Sequence, residues 1–417
     1  MKVVVSVLGR FHAFDLAREL ERLGALDRLI TSYPKFFAKK LGISPDSVTS
    51  LLPCEVYKRT LKKLPEDHRV TFENSANSLF DRLSALALPK ELDVFVGWSG
   101  CSLRALRRAR AKGALGVIEC SGAHIEVQRS LLKEEYELHG LEPKLPHRSM
   151  LQRELAEYQT ADAIAVPSSF ALQSFVKKGF SADKLIVNPY GVELSGFTPS
   201  EQPPDKFRVL FVGRTSLQRG AHYLLKAFHD LALPGAELVF AGPIDPEIEP
   251  FRKKYGRSNV FFLGPKSQDE LPKYYKRASV FCLPSIQEGM ATALFQAMST
   301  GLPVIITPNT GGRALIEEGE NGYVVPIRDV EAIKAKLIEL YGLGNAVLEM
   351  GRRSIEIVSE GYSWRDYGRR AKAAYLDRLS RPGQGGAVLT SRRPELEDSM
   401  RGKPWGTQSA EPEGKAG

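Results

Sequence analysis

Two series of short apolar segments, each alternating with helical patterns, restrict the fold of this chain more than any other feature. The strand-like segments of the first series cover residues 3–7, 94–96, 114–118 and 163–166. Those of the second series cover residues 208–212, 237–241, 260–263, 280–283 and 304–307. Such alternation is typical of βαβ units around a parallel sheet. The sequence therefore predicts an α/β protein with doubly wound sheets.

A segment rich in proline, glycine and serine, residues 189–205, separates the two series and is predicted to be a linker. The chain has 417 residues, more than one hydrophobic core usually serves. We expect a first Rossmann-like domain over residues 1–195 and a second over 206–362. A helical pattern follows at 364–380, and the tail 381–417 is predicted to be disordered because glycine, proline, serine and mixed charge dominate it.

The net charge of +9 favours an anionic partner, such as a nucleotide diphosphate, a phospholipid surface or nucleic acid. The cysteines are scattered, without zinc-site spacing, and are interpreted as reduced thiols in the cytoplasm; they are Cys54, Cys101, Cys120 and Cys282. No segment approaches the roughly 18 apolar residues of a membrane span. Any membrane association is therefore expected to be peripheral.

The strongest candidate site lies in the segment 281–307, where a buried strand ends at Pro284 and a helix opens near Thr292. Gly289 lets the backbone approach a ligand, and the loop amides with the helix N-terminus form a seat for an anion. Glu288 would accept hydrogen bonds from sugar hydroxyls. The alternative is a surface acid in an ordinary loop between a strand and a helix.

A second candidate follows the strand 208–212, which delivers Gly213 and Arg214 at its end, with Arg219 five residues later. Two guanidinium groups converging on one loop suit a diphosphate, because each forms forked bonds to phosphate oxygens. A solvated pair of arginines is the alternative.

Two weaker candidates lie in the first half. The turn after the first strand contains Gly9 and Arg10, which could line a cleft, although it lacks a full glycine fingerprint. His124 follows another predicted strand and precedes a helix, so it lies where a parallel sheet opens to ligand. Both features are also common in purely structural roles.

Basic residues interleaved with apolar ones form a belt in the first half that is suited either to an anionic bilayer or to a solvated helix face. Its basic members are Lys35, Lys39, Lys40, Lys58, Arg59, Lys62 and Lys63, with a separate cluster at Arg104, Arg107, Arg108 and Arg110. Its apolar members are Phe36, Phe37, Leu41, Leu51, Leu52, Val56 and Leu61.

Together these motifs resemble the retaining glycosyltransferases of family four, among the group 1 glycosyltransferases, whose two-domain fold is GT-B. The resemblance covers most of residues 1–380. It is densest in the second half, where the VGR turn, the ELPKYYKRASVFCLPS lead-in, the EG loop, AMSTGLPVI, Gly311-Gly312 and ENGYVVP occur in the family's order. Tyr362-Ser363-Trp364 is similar to the start of the family's closing helix, which crosses back onto the first domain.

The resemblance implies specific roles for these residues. Arg214 and Arg219 correspond to the basic residues that hold the donor diphosphate, and Glu288 to the first acid of a Glu-x7-Glu motif, which contacts the transferred sugar. The second acid, which binds the ribose, is replaced here by Gln296. An amide still bonds a ribose hydroxyl but lacks the charge, so donor affinity or donor choice stays open.

The remaining residues of the expected donor site are Gly213, Gly289, Met290, Ala291 and Thr292. His124 matches the family's histidine that faces the reacting centre. The resemblance implies a sugar nucleotide as donor, a saccharide or lipid-linked acceptor, retention at the anomeric carbon, and no metal or cofactor. It also implies a role in surface polysaccharide or glycolipid synthesis, in the cytoplasm or peripherally at the inner face of the membrane.

Three alternatives remain at this point. A GT-B epimerase or phosphorylase would use the same fold on a sugar nucleotide or sugar phosphate. A glycosyltransferase-like protein that only binds a partner is suggested by Gln296 alone. Nucleic-acid binding is suggested by charge alone and lacks a recognised module.

Overall fold

The computed structural model describes residues 1–61, 66–200 and 204–380, without the side chains of 66–73 and 345. The tail 381–417, for which disorder is predicted, lies outside these residues, as do Lys62 and Lys63 of the basic belt. Within the described part of the chain, no helix is both long and apolar enough to cross a bilayer.

The first half forms a seven-stranded sheet in which every pairing is parallel, in the order β3-β2-β1-β4-β5-β6-β7. Its strands are β1 Val3–Val7, β2 Leu26–Thr31, β3 Val48–Ser50, β4 Val94–Trp98, β5 Leu115–Glu119, β6 Ala163–Val166 and β7 Leu185–Val187. β1 and β4 are buried along their whole length. Burial on both faces explains why they are continuous apolar runs in the sequence.

Eight α-helices lie between these strands among the residues that the structure describes. They are α1 Ala13–Arg22, α2 Lys35–Lys40, α3 Leu52–Leu61, α4 Glu66–Leu86, α5 Leu103–Ala111, α6 Ile125–Leu138, α7 Arg148–Thr160 and α8 Ser169–Lys177. In α5, Ala105, Leu106 and Ala109 are buried while the arginines are exposed. This burial pattern is that of an amphipathic helix with one face on the core.

The second half forms a six-stranded parallel sheet in the order β10-β9-β8-β11-β12-β13. Its strands are β8 Arg208–Val212, β9 Glu237–Ala241, β10 Val260–Phe262, β11 Val280–Leu283, β12 Val304–Ile306 and β13 Gly322–Val324. Its helices are α9 Ala221–Leu231, α10 Glu249–Tyr255, α11 Pro272–Tyr275, α12 Thr292–Ser299, α13 Val330–Gly342 and α14 Val347–Ser359.

Both sheets reverse their strand order beside their first strand, between β1 and β4 and between β8 and β11. At such a switch point the two flanking loops diverge and leave a crevice at the carboxyl ends of the strands. The two-domain, doubly wound fold predicted from the sequence is thereby confirmed.

The last helix, α15 Trp364–Ser380, packs on α1 of the first domain although it follows the second domain in sequence. The Tyr367 hydroxyl donates to Glu119 Oε1 at 3.1 Å, and Arg370 Nε donates to Asn188 Oδ1 at 3.0 Å. Tyr367 and Tyr375 are fully buried. The crossing therefore joins the two halves through a second covalent connection besides the linker.

Candidate active site

A cavity of about 310 Å³ opens at the switch point of the second sheet, at the ends of β8 and β9 and the start of α12. Apolar and glycine backbone forms much of its wall. Its polar and charged side chains are Arg219, Lys266, Gln268, Glu288, Thr292 and Gln296. Few polar groups converging in a concave site are typical of small-molecule sites.

Arg219 and Glu288 form an ion pair in this cavity. Arg219 Nε lies 2.9 Å from Glu288 Oε2, and its Nη2 donates to Oε1 at 3.2 Å. Burial raises the pKa of Glu288, and the neighbouring Arg219 offsets part of that rise. The pair places a forked cation beside a carboxylate that accepts hydrogen bonds, which suits a ligand with phosphate and hydroxyl groups.

Arg214 does not converge with Arg219, contrary to the expectation from the sequence. Its Nη1 pairs with Asp245 Oδ1 at 2.7 Å, its side chain is 58% exposed, and it is not among the residues that line the cavity. The reason is local: Thr215 extends the β8–β9 pairing by bridging Ile244, which carries Arg214 next to Asp245. Gly213, one residue earlier, does line the cavity.

The loop that carries Glu288 and Gly289 is held between the two domains. Ser168 Oγ of the first domain donates to the Gly289 carbonyl at 2.7 Å, and Glu288 N donates to Asn309 O at 3.0 Å. A Cβ at position 289 would overlap the Ser121 carbonyl oxygen of the first domain. Glycine is therefore required for the close approach of the domains at this point.

The N-terminus of α12 forms another wall of the cavity, where Met290, Ala291, Thr292 and Ala293 line it. Ala291 is the N-cap and supplies no side-chain acceptor. Since the first amides of a helix lack intrahelical partners and carry the positive end of its dipole, they favour an anion. The predicted residues Met290, Ala291 and Thr292 thus lie together with Glu288 and Gly289.

Gln296 is held by a network of amides and a phenol. The Tyr275 hydroxyl donates to Gln296 Oε1 at 3.1 Å, and Gln296 Nε2 donates to Gln268 Oε1 at 2.9 Å. Both glutamines line the cavity. A glutamine at 296 uses its donor here, whereas a glutamate would have only acceptors to offer.

His124 lies in the interior of the first domain. It is 1% exposed, its Nδ1 accepts from Glu126 N at the start of α6, and its ring packs on Tyr158 and Phe175. Burial lowers its pKa to about 4, so it is neutral at physiological pH. These contacts describe a helix cap; the predicted catalytic role stays a prediction that its position does not support.

Gly9 and Arg10 lie at the carboxyl end of β1, outside the cavity lining. Gly9 has a φ of +106°, which favours glycine, and its N–H donates to Ser32 Oγ at 3.1 Å. The Arg10 guanidinium lies 5.9 Å from the centre of the Phe37 ring. The turn is therefore connected to the basic belt of α2 and α3, and its role in a cleft stays a prediction.

Sequence reasoning missed Lys266, Gln268 and Tyr275. The first two follow β10, so the rule that ligands bind at carboxyl ends of parallel strands would have found them. Tyr275 lies on α11 and is connected to the cavity by the hydrogen bonds of its hydroxyl to Gln296 Oε1 and to the Ala293 carbonyl.

Comparison with known proteins agrees with this geometry. Residues 197–356 match the family model described as glycosyl transferases group 1. The second domain of this chain is therefore similar to the group 1 glycosyltransferases. The match covers β8 to β13 and all the residues that line the cavity.

Similar proteins extend the comparison beyond the second domain. The protein named as the colanic acid biosynthesis glycosyltransferase WcaL in Salmonella typhimurium is 26% identical over 381 residues, which are 82% of this chain and 88% of that protein. The sucrose-phosphate synthase of Thermosynechococcus elongatus has a TM-score of 0.65 at 17% identity, covering 91% of this chain and 99% of that one.

A second solved structure, Anabaena HepE in complex with UDP-glucose, has a TM-score of 0.63 at 14% identity. The similarity covers 90% of this chain and all of that one. At such low identity the two structures establish only that this chain has the GT-B fold.

Proposed function

We propose that this group 1 glycosyltransferase is a retaining, metal-independent enzyme that transfers a sugar from a nucleoside diphosphate to a hydroxyl acceptor. The observation that carries the proposal is the cavity in which Arg219, Glu288 and the N-terminus of α12 converge. HepE, a protein of the same fold, is described in complex with UDP-glucose. A sugar nucleotide is the ligand class that this combination of cation, amides and carboxylate fits best.

Each part of the donor has a matching part of the site. Arg219 and the first amides of α12 would bind the diphosphate, which would compete with Glu288 for the guanidinium. Glu288 would then accept hydrogen bonds from hydroxyls of the transferred sugar. Gln296 and Gln268 would contact the nucleoside, with Gln296 nearest in role to a ribose-binding acid.

The transfer would proceed by front-side attack of the acceptor hydroxyl on the anomeric carbon. The bond from that carbon to the diphosphate oxygen breaks, the bond to the acceptor oxygen forms, and the acceptor proton passes to the departing phosphate. Arg219 and the loop amides would stabilise the charge that develops on the diphosphate. Arg214 would contribute only if its side chain leaves Asp245.

The acceptor is proposed to be a surface polysaccharide or glycolipid precursor, as the name of the relative WcaL suggests. The first domain has a surface suited to such a substrate at a membrane: α2 exposes Phe36 (63%) beside Lys35, Lys39 and Lys40. On α3, Leu52 and Val56 are exposed near Arg59. Exposed apolar groups among basic ones favour peripheral contact with anionic lipid.

The donor proposal is tested by measuring binding and transfer with UDP-, GDP- and ADP-linked sugars. We expect one donor class to bind, and Glu288→Ala and Arg219→Ala each to lower turnover at least about tenfold, since each removes a charge-assisted contact. Exposed residues serve as matched controls: Glu249→Ala and Arg352→Ala should leave turnover unchanged. Failure of every donor to bind would refute the proposal, and epimerisation or phosphorolysis in place of transfer would redirect it.

The membrane proposal is tested by sedimentation with anionic vesicles. Binding should weaken as salt increases, because screening shortens the range of the attraction. The variant Phe36→Ser should bind less than wild type at equal salt. Equal partition onto neutral and anionic vesicles would contradict the proposal.

A further inference from the structure

A second polar cluster lies where α6 of the first domain meets α9 of the second, and consists of Glu135, His139 and His222. Glu135 and His139 are four residues apart, so they are neighbours on one helix face. His222 lies in the first turn of α9. The side chains of Glu135, His222 and His139 are 0%, 2% and 21% exposed, and none of them lines the donor cavity.

Three potential metal-binding atoms converge in this cluster. His139 Nε2 and His222 Nε2 are 3.0 Å apart. Glu135 Oε1 lies 2.9 Å from His222 Nε2 and 3.4 Å from His139 Nε2. Ligands bound at roughly 2.0–2.1 Å to a tetrahedral ion lie about 3.3 Å from one another. The three atoms therefore have close to the spacing of one face of a tetrahedral site.

The contacts around Glu135 orient its carboxylate. Its Oε1 is buried and lies 2.9 Å from His222 Nε2, and Tyr223 also hydrogen-bonds the carboxylate. The two imidazole nitrogens that face each other can share only one proton. Glu135 Oε2 accepts from Arg328 Nε at 2.7 Å. That bond fixes the carboxylate with Oε1 directed at the histidines, as outer partners of metal ligands commonly do.

The charges nearby would tolerate a divalent ion. Arg328 pairs with Glu135 and also with Glu134, whose Oε1 lies 3.0 Å from Nη1. Two carboxylates therefore face one guanidinium, which leaves one negative charge uncompensated by that arginine. Two imidazoles and a carboxylate are ligands that suit zinc better than magnesium or calcium.

We propose that Glu135, His139 and His222 bind a Zn²⁺ ion that connects the two domains. Water would occupy the fourth position, because His139 leaves that side of the cluster partly open. The ion would fix α6 against α9 and thereby favour the arrangement in which the first domain approaches the loop at Gly289. This structural site is separate from the donor cavity and does not depend on the proposed transfer reaction.

Metal binding is tested on purified full-length protein without a polyhistidine tag. After chelator treatment and equilibration with zinc sulfate, we expect one Zn²⁺ per chain by elemental analysis and a single site by calorimetry. Co²⁺ in place of Zn²⁺ should give the visible absorption of a tetrahedral complex. Two results would overturn the proposal. One is the absence of stoichiometric zinc, and the other is a cluster that takes up only a proton as the pH changes and binds no metal.

Two variants and a control localise the ion. Loss of even an outer-shell partner costs roughly 10- to 100-fold in metal affinity, so His139→Ala and Glu135→Gln should each weaken zinc binding by at least about tenfold. His229→Ala, on the same helix as His222 but outside the cluster, should bind as wild type does. Unchanged affinity in both variants would overturn the assignment.

Thermal unfolding separates loss of the ion from loss of the fold. Zinc should raise the unfolding midpoint of the wild type and of His229→Ala, and not that of His139→Ala. Because His139 is partly exposed, its variant should unfold near the wild-type midpoint in chelator. An equal zinc effect in all three proteins would contradict the proposal whether or not a sugar donor binds.

Discussion

Arg219 and Glu288 are the residues on which the proposed donor site depends most. Their ion pair lies inside a cavity, where burial alone would disfavour both charges. A pair of this kind rarely adds net stability, because desolvation offsets the attraction. Its presence at the end of a parallel sheet is better explained by ligand binding. A phosphate can take the place of Glu288 beside Arg219, and a sugar hydroxyl can take the place of Arg219 beside Glu288.

The coupling of this pair predicts a change in the pH profile. Glu288 must be ionised to accept two hydrogen bonds, so activity should fall as the pH drops below the pKa of Glu288. Arg219→Gln removes the charge that lowers this pKa. The acidic limb of kcat/KM should therefore move to higher pH, whereas Arg219→Lys should keep it near the wild-type position. If the acidic limb of kcat/KM stays at the wild-type pH in Arg219→Gln, the ionisation of Glu288 does not control the rate.

Gln296 predicts a change in nucleotide affinity. If its amide contacts the ribose, Gln296→Glu should bind the free nucleoside diphosphate several-fold tighter, because a charged acceptor forms stronger bonds to hydroxyls. Calorimetric titration with UDP, GDP and ADP measures the effect. Tyr275→Phe is the control, because it removes the hydrogen bond that orients Gln296 without adding charge. If wild type and Gln296→Glu bind the nucleoside diphosphate with the same affinity, position 296 does not contact the ribose.

At the scale of elements, the loop between β11 and α12 is positioned by both domains. The second domain holds it through Asn309, and the first approaches Gly289 through Ser121 and Ser168. Since the contacts with Ser121 and with the Gly289 carbonyl involve backbone, the loop cannot adapt to a side chain at 289 by changing a rotamer.

Gly289→Ala should therefore separate the loop from the first domain. We expect turnover to fall at least about tenfold while donor affinity changes less, because the proposed donor contacts are mainly on the second domain. Gly342→Ala, at a position where a Cβ meets nothing within 4 Å, should leave both unchanged. Steady-state kinetics with a donor-binding titration distinguish the two effects; normal turnover in Gly289→Ala would show that the close approach is dispensable.

At the scale of the whole molecule, α15 fixes the end of the second domain to the first. The Tyr367 hydroxyl is the donor to Glu119, a carboxylate that is itself buried. Leaving that carboxylate without its partner costs free energy, because a buried charge has no water to replace the bond.

Tyr367→Phe should therefore lower the free energy of unfolding by about 2 kcal/mol. Urea denaturation measures the change. Tyr341→Phe is the control: its hydroxyl donates to the Pro234 carbonyl at an exposed position where water substitutes. A loss of under about 0.5 kcal/mol is expected for the control. Equal effects in the two variants would mean that burial at Glu119 does not matter.

Much of the fold was predictable because the spacing of apolar residues, which distinguishes strands from helices, involves only residues close together in the chain. β1, β6, β8, β9 and β11 have the predicted bounds. Three of the strands that the pattern did not predict, β3, β7 and β13, have three residues each, too few for a recognisable alternation. β2 is buried only in its second half, which hides it among polar neighbours.

The sequence by itself determined the two doubly wound domains and the strand ends beside which Arg219 and Glu288 lie, because the carboxyl ends of parallel strands share one edge. Only the tertiary structure decided where individual side chains point. His124 lies in the interior, Arg214 pairs with Asp245, and His222 lies beside His139, 83 residues away in the chain. Such contacts depend on how elements distant in the chain pack together, and local sequence patterns do not indicate that packing.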